Sequence, residues 1–278
     1  MLVIALIAGA ALAHASWNLA IKRAGTGGPV FLWLTFLLGS IVFAPFGVAT
    51  VGSNPHWLWL AAVSGGLQVG YFLLLQQAYR RGDVSVVYPL ARGTGPLLSV
   101  VFAIILFHER PGVVALIGAG VVIAGVVVIG LAGGRVGAVV NSPGVLYGLA
   151  VGVAIAIYTL WDSNAVINGG MPPLGYYWAV VAAFLLLTPA AVRERAVVSS
   201  TIRQHWVAVL AVGVLSPLAY VLILFAVQLA PVSIVAPARE VSVVLVALAG
   251  LLWFREPHPV QRLIGAAVVF VGVALLAV

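Results

Sequence analysis

The chain has no cysteine, only six acidic residues and a charged fraction of 7%. Without cysteine there is neither a disulfide framework nor a thiolate metal site, and the redox compartment cannot be read. So few charges cannot cover a globule in water when 64% of the residues are hydrophobic and mean hydropathy is +1.22. A water-facing domain is therefore excluded. The scarcity of acids accounts for the formal charge of +7, because the 13 Lys and Arg are scattered through short loops. They form no basic patch interleaved with aromatics, so no nucleic-acid partner is expected.

A polar stripe at helical period is missing as well. The apolar runs divide, at turns rich in Gly, Pro, Asn or charge, into about ten pieces of about 20 residues, the length that crosses a ~30 Å hydrocarbon layer. The spans are 2–21, 30–51, 57–79, 84–107, 111–131, 144–166, 173–192, 206–229, 232–254 and 259–277. Lipid leaves each backbone amide to pair within its own segment, and the runs are too long and unalternating for barrel strands. The expected fold is all-α, a polytopic membrane protein. Residues 1–15 end in Ala13-His14-Ala15, an A-x-A pattern, but no basic segment precedes the apolar run. The run continues through Trp17 and Leu19 to Lys22, so it reads as a first span and not as a cleaved leader.

Catalytic signatures are absent too: there is no G-x-S-x-G, no H-E-x-x-H and no intramembrane Asp pair, which argues against a membrane-embedded enzyme. No ATP-binding motif is present, and no cofactor or metal is expected. Gly93-Thr94-Gly95-Pro96 is too short and misplaced for a phosphate-binding loop and reads as local flexibility.

What is present is a duplication. VSVVYPLAR (Val84 to Arg92) leads on to FHERPGVVALIGAGVVIAGVVVIG, and VSIVAPARE (Val232 to Glu240) leads on to FREPHPVQRLIGAAVVFVGVALLA. Ser85 and Pro89 match Ser233 and Pro237, while Glu109, Gly118 and Gly125 match Glu256, Gly265 and Gly272 after a single-residue gap. A weaker echo places Trp17 and Asn18 near Tyr158 and Thr159. The chain thus divides into two five-helix repeats, 1–132 and 144–278, joined by the loop Gly133 to Pro143.

An odd number of spans per repeat forces the second copy to enter the membrane upside down, so the repeat is inverted. The charges agree. Lys22, Arg23, Arg80, Arg81, Arg135, Arg193, Arg195, Arg203, Arg255 and Arg262 fall on one side, against Arg110 on the other. The positive-inside rule makes the basic side cytoplasmic and puts both termini outside.

Arg92, Arg239 and Glu240 fall inside spans, where a charge costs about 2.5–3.5 kcal/mol at mid-bilayer on insertion scales. Each follows a proline, Pro89 or Pro237, that removes an amide donor and frees a carbonyl one turn earlier. Both prolines are expected to break or kink their span. Ser85, Tyr88, Arg92 and Ser99 share one helical face, and Ser233, Pro237 and Glu240 share another. Adjacent on a helix, Arg239 and Glu240 should diverge and not pair. The expected pairing is Glu240 with Arg92, leaving Arg239 to meet an anionic group such as a carboxylate or phosphonate.

On the first span His14, Trp17, Asn18 and Ile21 lie one turn apart on one face. His14 reads either as a hydrogen-bonded packing residue or as a proton-coupling or gating group. Gln68, Tyr71, Tyr158 and Tyr220 are the other polar or aromatic residues placed deep enough to line a cavity, beside Tyr79, Trp161 and Asp162 nearer the span ends. Trp57, Trp59, Trp178, Trp206 and Trp253 read as an interfacial belt. Glu109 and Glu256 occupy matching loops, where each should cap the helix that follows. The glycine spacing of Gly118, Gly125 and Gly130, and of Gly265 and Gly272, suits close helix contact, as scaffold or dimer surface.

With YPLARGTGP and its later HER, and APARE with its later REP, the chain resembles the EamA-type branch of the drug/metabolite transporter superfamily over nearly its whole length. The opening VIALIAGAALAHASWNLAIKRAG is also similar to the first helix of the small multidrug resistance proteins. Where that family carries a proton-exchanging carboxylate, this chain has His14, which disfavours cationic drug antiport, while Arg92 and Arg239 favour a zwitterion or anion. The resemblance implies a secondary transporter in the cell (inner) membrane, gradient- or exchange-driven, commonly an exporter of amino acids or related metabolites. A lipid or sugar-lipid flippase is the alternative. The expected partners are a small-molecule substrate and the bilayer, with the chain a monomer or homodimer.

Overall fold

The structure, a computed structural model, describes residues 1–25, 28–51, 58–82, 84–130, 143–188, 193–254 and 258–276. Trp57, Arg135, Arg255 and Glu256 lie outside the described residues. Among those described there are helices and turns and no strand: α1 (Leu2–Ala24), α2 (Pro29–Val51), α3 (Leu58–Arg81), α4 (Val84–Leu106), α5 (Val113–Gly130), α6 (Pro143–Ile167), α7 (Pro173–Ala183), α8 (Arg195–Leu229), α9 (Val232–Ala238), α10 (Val241–Phe254) and α11 (Pro259–Leu276). Eight described segments are long and apolar enough to cross a membrane, one of them running from Val232 to Trp253 across α9 and α10. Two shorter apolar helices, Val113–Ile129 and Pro173–Leu186, join them. This is an all-α, polytopic membrane protein. Large apolar side chains such as Leu2, Leu146, Leu252 and Val271 stand exposed on the helices, as a lipid solvent permits and water does not.

The helix ends follow from local chemistry. Helix α1 stops where Gly25 adopts the left-handed conformation (φ 60°), its amide donating to the Ile21 carbonyl at 3.0 Å, with Lys22 and Arg23 in the last turn facing the negative end of the dipole. Helix α7 begins on Pro173, whose missing amide has no partner to lose there, and tightens into a 3₁₀ turn over Phe184–Leu187. Helix α8 is longer than the span read from sequence. It starts at Arg195, and His205 (φ −129°, ψ 21°) interrupts it just before residue 206.

The chain forms two compact units, which divide it differently from the sequence repeats: each unit draws on both copies. Unit 1 comprises Met1–Gly66 and Asn164–Phe225. Its core packs Val30, Phe31 and Leu34 of α2 against Ala208, Val209 and Val212 of α8, with Trp17, Ile21 and Trp33 closing over them. The Trp178 indole donates to the Ser40 carbonyl at 2.9 Å, and a Cβ at Gly47 would come within 2.3 Å of its ring. Trp178 is thus a helix-packing residue, which corrects its place in the expected aromatic belt. Trp59, Trp206 and Trp253 are exposed as a belt requires.

Unit 2 comprises Leu67–Ser163 and Ala226–Val278. Its scaffold is the contact of α5 with α11, where the duplicated glycines meet in pairs. A Cβ at Gly118 would lie 2.9 Å from the Gly272 carbonyl oxygen, and one at Gly125 2.8 Å from that of Gly265, so only glycine permits this approach. These glycines serve as internal scaffold. A second contact packs α4 on α6: a Cβ at Gly95 would lie 2.8 Å from Ile155, and one at Gly152 2.6 Å from Thr94. Gly93-Thr94-Gly95-Pro96 is therefore helical and tightly packed, which corrects the flexibility expected of it. Ala78, Val87, Ala91, Val151 and Ile155 form the core beside this crossing.

Candidate substrate site

The two copies of the proline-charge sequence fold differently. The first runs as one helix, α4, past Pro89 to Leu106, so the expected break at Pro89 does not form. Pro89 is the sixth residue of α4, close enough to the start that its missing amide removes a single intrahelical bond. The second copy is interrupted: α9 ends at Ala238 and α10 begins at Val241.

Both ends of α9 are held by charge. At its start, Pro231 offers no amide, and the exposed amides of Val232 and Ser233 donate to the two carboxylate oxygens of Glu109, at 2.7 and 2.9 Å. Glu109 stands in the loop between α4 and α5, so it caps a helix of the other repeat and not the one that follows it, as the sequence suggested. An anion at a helix N-terminus satisfies orphan donors and meets the positive end of the dipole.

At its end, the Arg239 amide reaches the Val235 carbonyl, but the Glu240 amide bonds to Pro237 and that of Val243 to Glu240, in the tighter i to i−3 pattern. This interruption lies after Pro237, whereas a proline ring disturbs the turn before it. The turn coincides instead with a buried carboxylate drawn between two guanidinium groups.

Glu240, 1% exposed, accepts from Arg92 Nη1 through both oxygens at 3.4 Å and lies 3.5 Å from Arg239 Nε. The pairing of Arg92 with Glu240 across the two copies is the one expected. The contact of Arg239 with Glu240 is a correction: although neighbours, the two side chains bend toward each other at the interruption and bring Nε within 3.5 Å of the carboxylate. Arg239 also donates through Nη1 to Thr159 Oγ1 at 3.5 Å, and the Arg92 guanidinium lies 5.7 Å from the centre of the Tyr88 ring.

Two donors in this region are unsatisfied. Arg239 Nε and the Ser233 hydroxyl are buried and make no hydrogen bond among the described residues. Buried donors rarely stay unpaired unless a ligand or water completes them.

Around the charges stand several of the expected residues. Tyr71 and Tyr158 meet edge to face with ring centres 5.4 Å apart, and Tyr158 lies in the field of Arg239, Arg92, Asp162 and Glu240 together. Gln68 donates to Asp162 at 3.2 Å, both residues being buried. Arg92, Arg239, Glu240, Tyr88, Gln68, Tyr71 and Tyr158 thus share unit 2. Sequence reasoning left Thr159 and Asp162 out of the site, although the faint echo between the first and sixth spans had marked the helix that carries them.

The remaining expected residues belong to unit 1. His14 and Trp17 meet edge to face at 4.9 Å, and Asn18 approaches His14 Nδ1 at 3.2 Å while donating to its carbonyl at 2.7 Å. The Trp17 indole N–H is buried with no hydrogen bond among the described residues. Tyr220 stacks, tilted, on the buried Tyr177 at 4.6 Å.

No curated protein sequence matches the chain significantly. A solved crystal structure superposes on 98% of this chain and 95% of its own with a TM-score of 0.73, at 21% identity, a likeness that shows the fold alone. The model of the EamA-like transporter family matches residues 1–131 and 142–278, two segments that together account for nearly all of the chain. The chain belongs to the EamA-like transporter family, membrane transporters of the drug/metabolite transporter superfamily.

Proposed function

We propose that this protein is a secondary transporter of a small zwitterionic or anionic metabolite, such as an amino acid, and that it works as an exporter in the cell's inner membrane. The observation that carries the reading is the buried group of two guanidiniums on one carboxylate, with Arg239 Nε making no hydrogen bond among the described residues. A substrate carboxylate competes with Glu240 for Arg239. Glu240, so released, accepts the substrate's ammonium group or stays on Arg92. Complementary charges of both signs in one buried place suit a zwitterion and penalise a lone cation.

In this reading Tyr88, Tyr71, Tyr158 and Gln68 line the substrate, Thr159 orients Arg239, and Glu109 holds α9 in register. Energy comes from a gradient or from exchange, by alternating access. His14, with Trp17 and Asn18, is proposed separately as a proton-coupling or gating group, and Tyr220 as a lining residue. His14→Gln should then flatten the pH dependence of transport with the protein still folded, and an unchanged profile removes that role.

The test of substrate class is counterflow in proteoliposomes with a panel of neutral amino acids, organic anions, organic cations and a fluorescent phospholipid. Counterflow of amino acids or anions supports the proposal. Counterflow of cations alone contradicts it, and translocation of the phospholipid alone replaces it with a flippase.

A further inference from the structure

Unit 1 carries a second basic feature that the transport reading does not use. The first ten residues of α8, up to the interruption at His205, form a helical segment of their own before the long apolar run. On that segment Arg195, Ser199 and Arg203 recur every fourth residue and so share a face, with Val198 and Ile202 on the strip beside them. These five side chains and Trp33 of α2 line an open cavity of about 560 Å³. The backbones of Arg195 and Arg203 are two turns apart, about 12 Å along the helix at 1.5 Å per residue, a gap that two long side chains can close on one anion. Neither makes a hydrogen bond or ion pair among the described residues, while Trp33 is fixed by its own bond to Thr188 at 3.0 Å.

We infer that this cavity binds the headgroup of an anionic phospholipid. The phosphate meets Arg195 and Arg203 with the Ser199 hydroxyl between them, and the upper acyl chain lies along Trp33, Val198 and Ile202. The lining supplies both halves of that ligand: cations with unfilled donors on one strip, an apolar wall on the next. A soluble phosphate needs only the first strip. A short amphipathic segment at the end of a membrane span is also where charge and apolar surface meet the headgroup layer. The charge bias of the loops assigns this end to the cytoplasmic side, the leaflet richer in anionic lipid.

The experiment uses the full-length protein in neutral detergent, titrated with dioleoylphosphatidylglycerol, dioleoylphosphatidylcholine or inorganic phosphate, with binding read by native mass spectrometry and by the shift in thermal unfolding. The wild type should bind phosphatidylglycerol at least tenfold more tightly than phosphatidylcholine, with inorganic phosphate a poor competitor. Arg195→Gln with Arg203→Gln should abolish that preference. Ser199→Glu, which keeps both arginines and sets a carboxylate between them, should do the same. Arg23→Gln with Arg80→Gln removes equal charge from the same side and should leave the preference unchanged. Retention of the preference in the first two variants, its equal loss in the last, or full competition by inorganic phosphate would overturn the assignment.

Discussion

The two copies of the proline-charge sequence begin alike and end differently. In α4, VSVVYPLAR is continuous helix and offers one cation, Arg92. VSIVAPARE is the short helix α9 followed by a tight turn at Arg239 and Glu240, after which α10 begins. Both prolines occupy the sixth position of their helix, so the proline does not decide the outcome. What differs is the acid: the second copy ends on Glu240 where the first ends on Arg92, and a buried carboxylate must be paired. A duplicated sequence has thus become asymmetric through one charge.

The largest expected effect comes from removing that acid. Glu240→Gln strands Arg92 and Arg239 together, and losing one partner of a buried pair costs about 3–5 kcal/mol. Thermal unfolding in detergent should show the loss, and Arg92→Gln, which leaves Glu240 its contact with Arg239, should lose less than half as much. Equal losses would mean that Arg239 contributes nothing to holding Glu240. If Arg92 and Glu240 paired only with each other, exchanging the charges (Arg92→Glu with Glu240→Arg) would rescue either single change. With Arg239 beside Glu240 the exchange places two arginines in one turn, and the structure predicts no rescue.

The Glu109 cap comes next. Glu109→Ala should destabilise by about 1–3 kcal/mol and speed hydrogen exchange at Val232 and Ser233, with the α4 amides unaffected. Uniform acceleration over both copies would show that Glu109 does not act locally on α9. Adding a methyl group to the scaffold, Gly125→Ala, should cost a similar 1–3 kcal/mol, because the Gly265 carbonyl would have to move. An unchanged unfolding temperature would mean that α5 and α11 lie farther apart than described. The smallest effect is expected for Pro237→Ala, within about 1 kcal/mol, with the turn at 239–240 still present by amide exchange. A continuous, protected helix through residue 240 would make the proline the cause after all.

Most of the fold was legible in the sequence because the bilayer imposes it: apolar runs of spanning length leave helices as the only solution. The pairing of Arg92 with Glu240 was legible for a related reason, since charges within spans need partners and few were available. The contact of Arg239 with Glu240 was not, because helical periodicity assumes a continuous helix and both residues lie in the interruption. Glu109 was read as a local cap because sequence proximity is the only measure available before the chain folds. The bond it makes is 123 residues away in sequence. The link between Gln68 and Asp162 was missed for the same reason: each side chain reads as an isolated polar residue until α3 and α6 pack.

The central claim is that Arg239 meets the acidic group of the substrate. Its most direct test is the concentration dependence of counterflow in proteoliposomes for wild type, Arg239→Lys and Arg239→Gln, using the best substrate of the panel. The account predicts that Arg239→Gln raises the KM for that substrate at least tenfold, with Arg239→Lys intermediate and both variants folded. A KM unchanged in Arg239→Gln would contradict it.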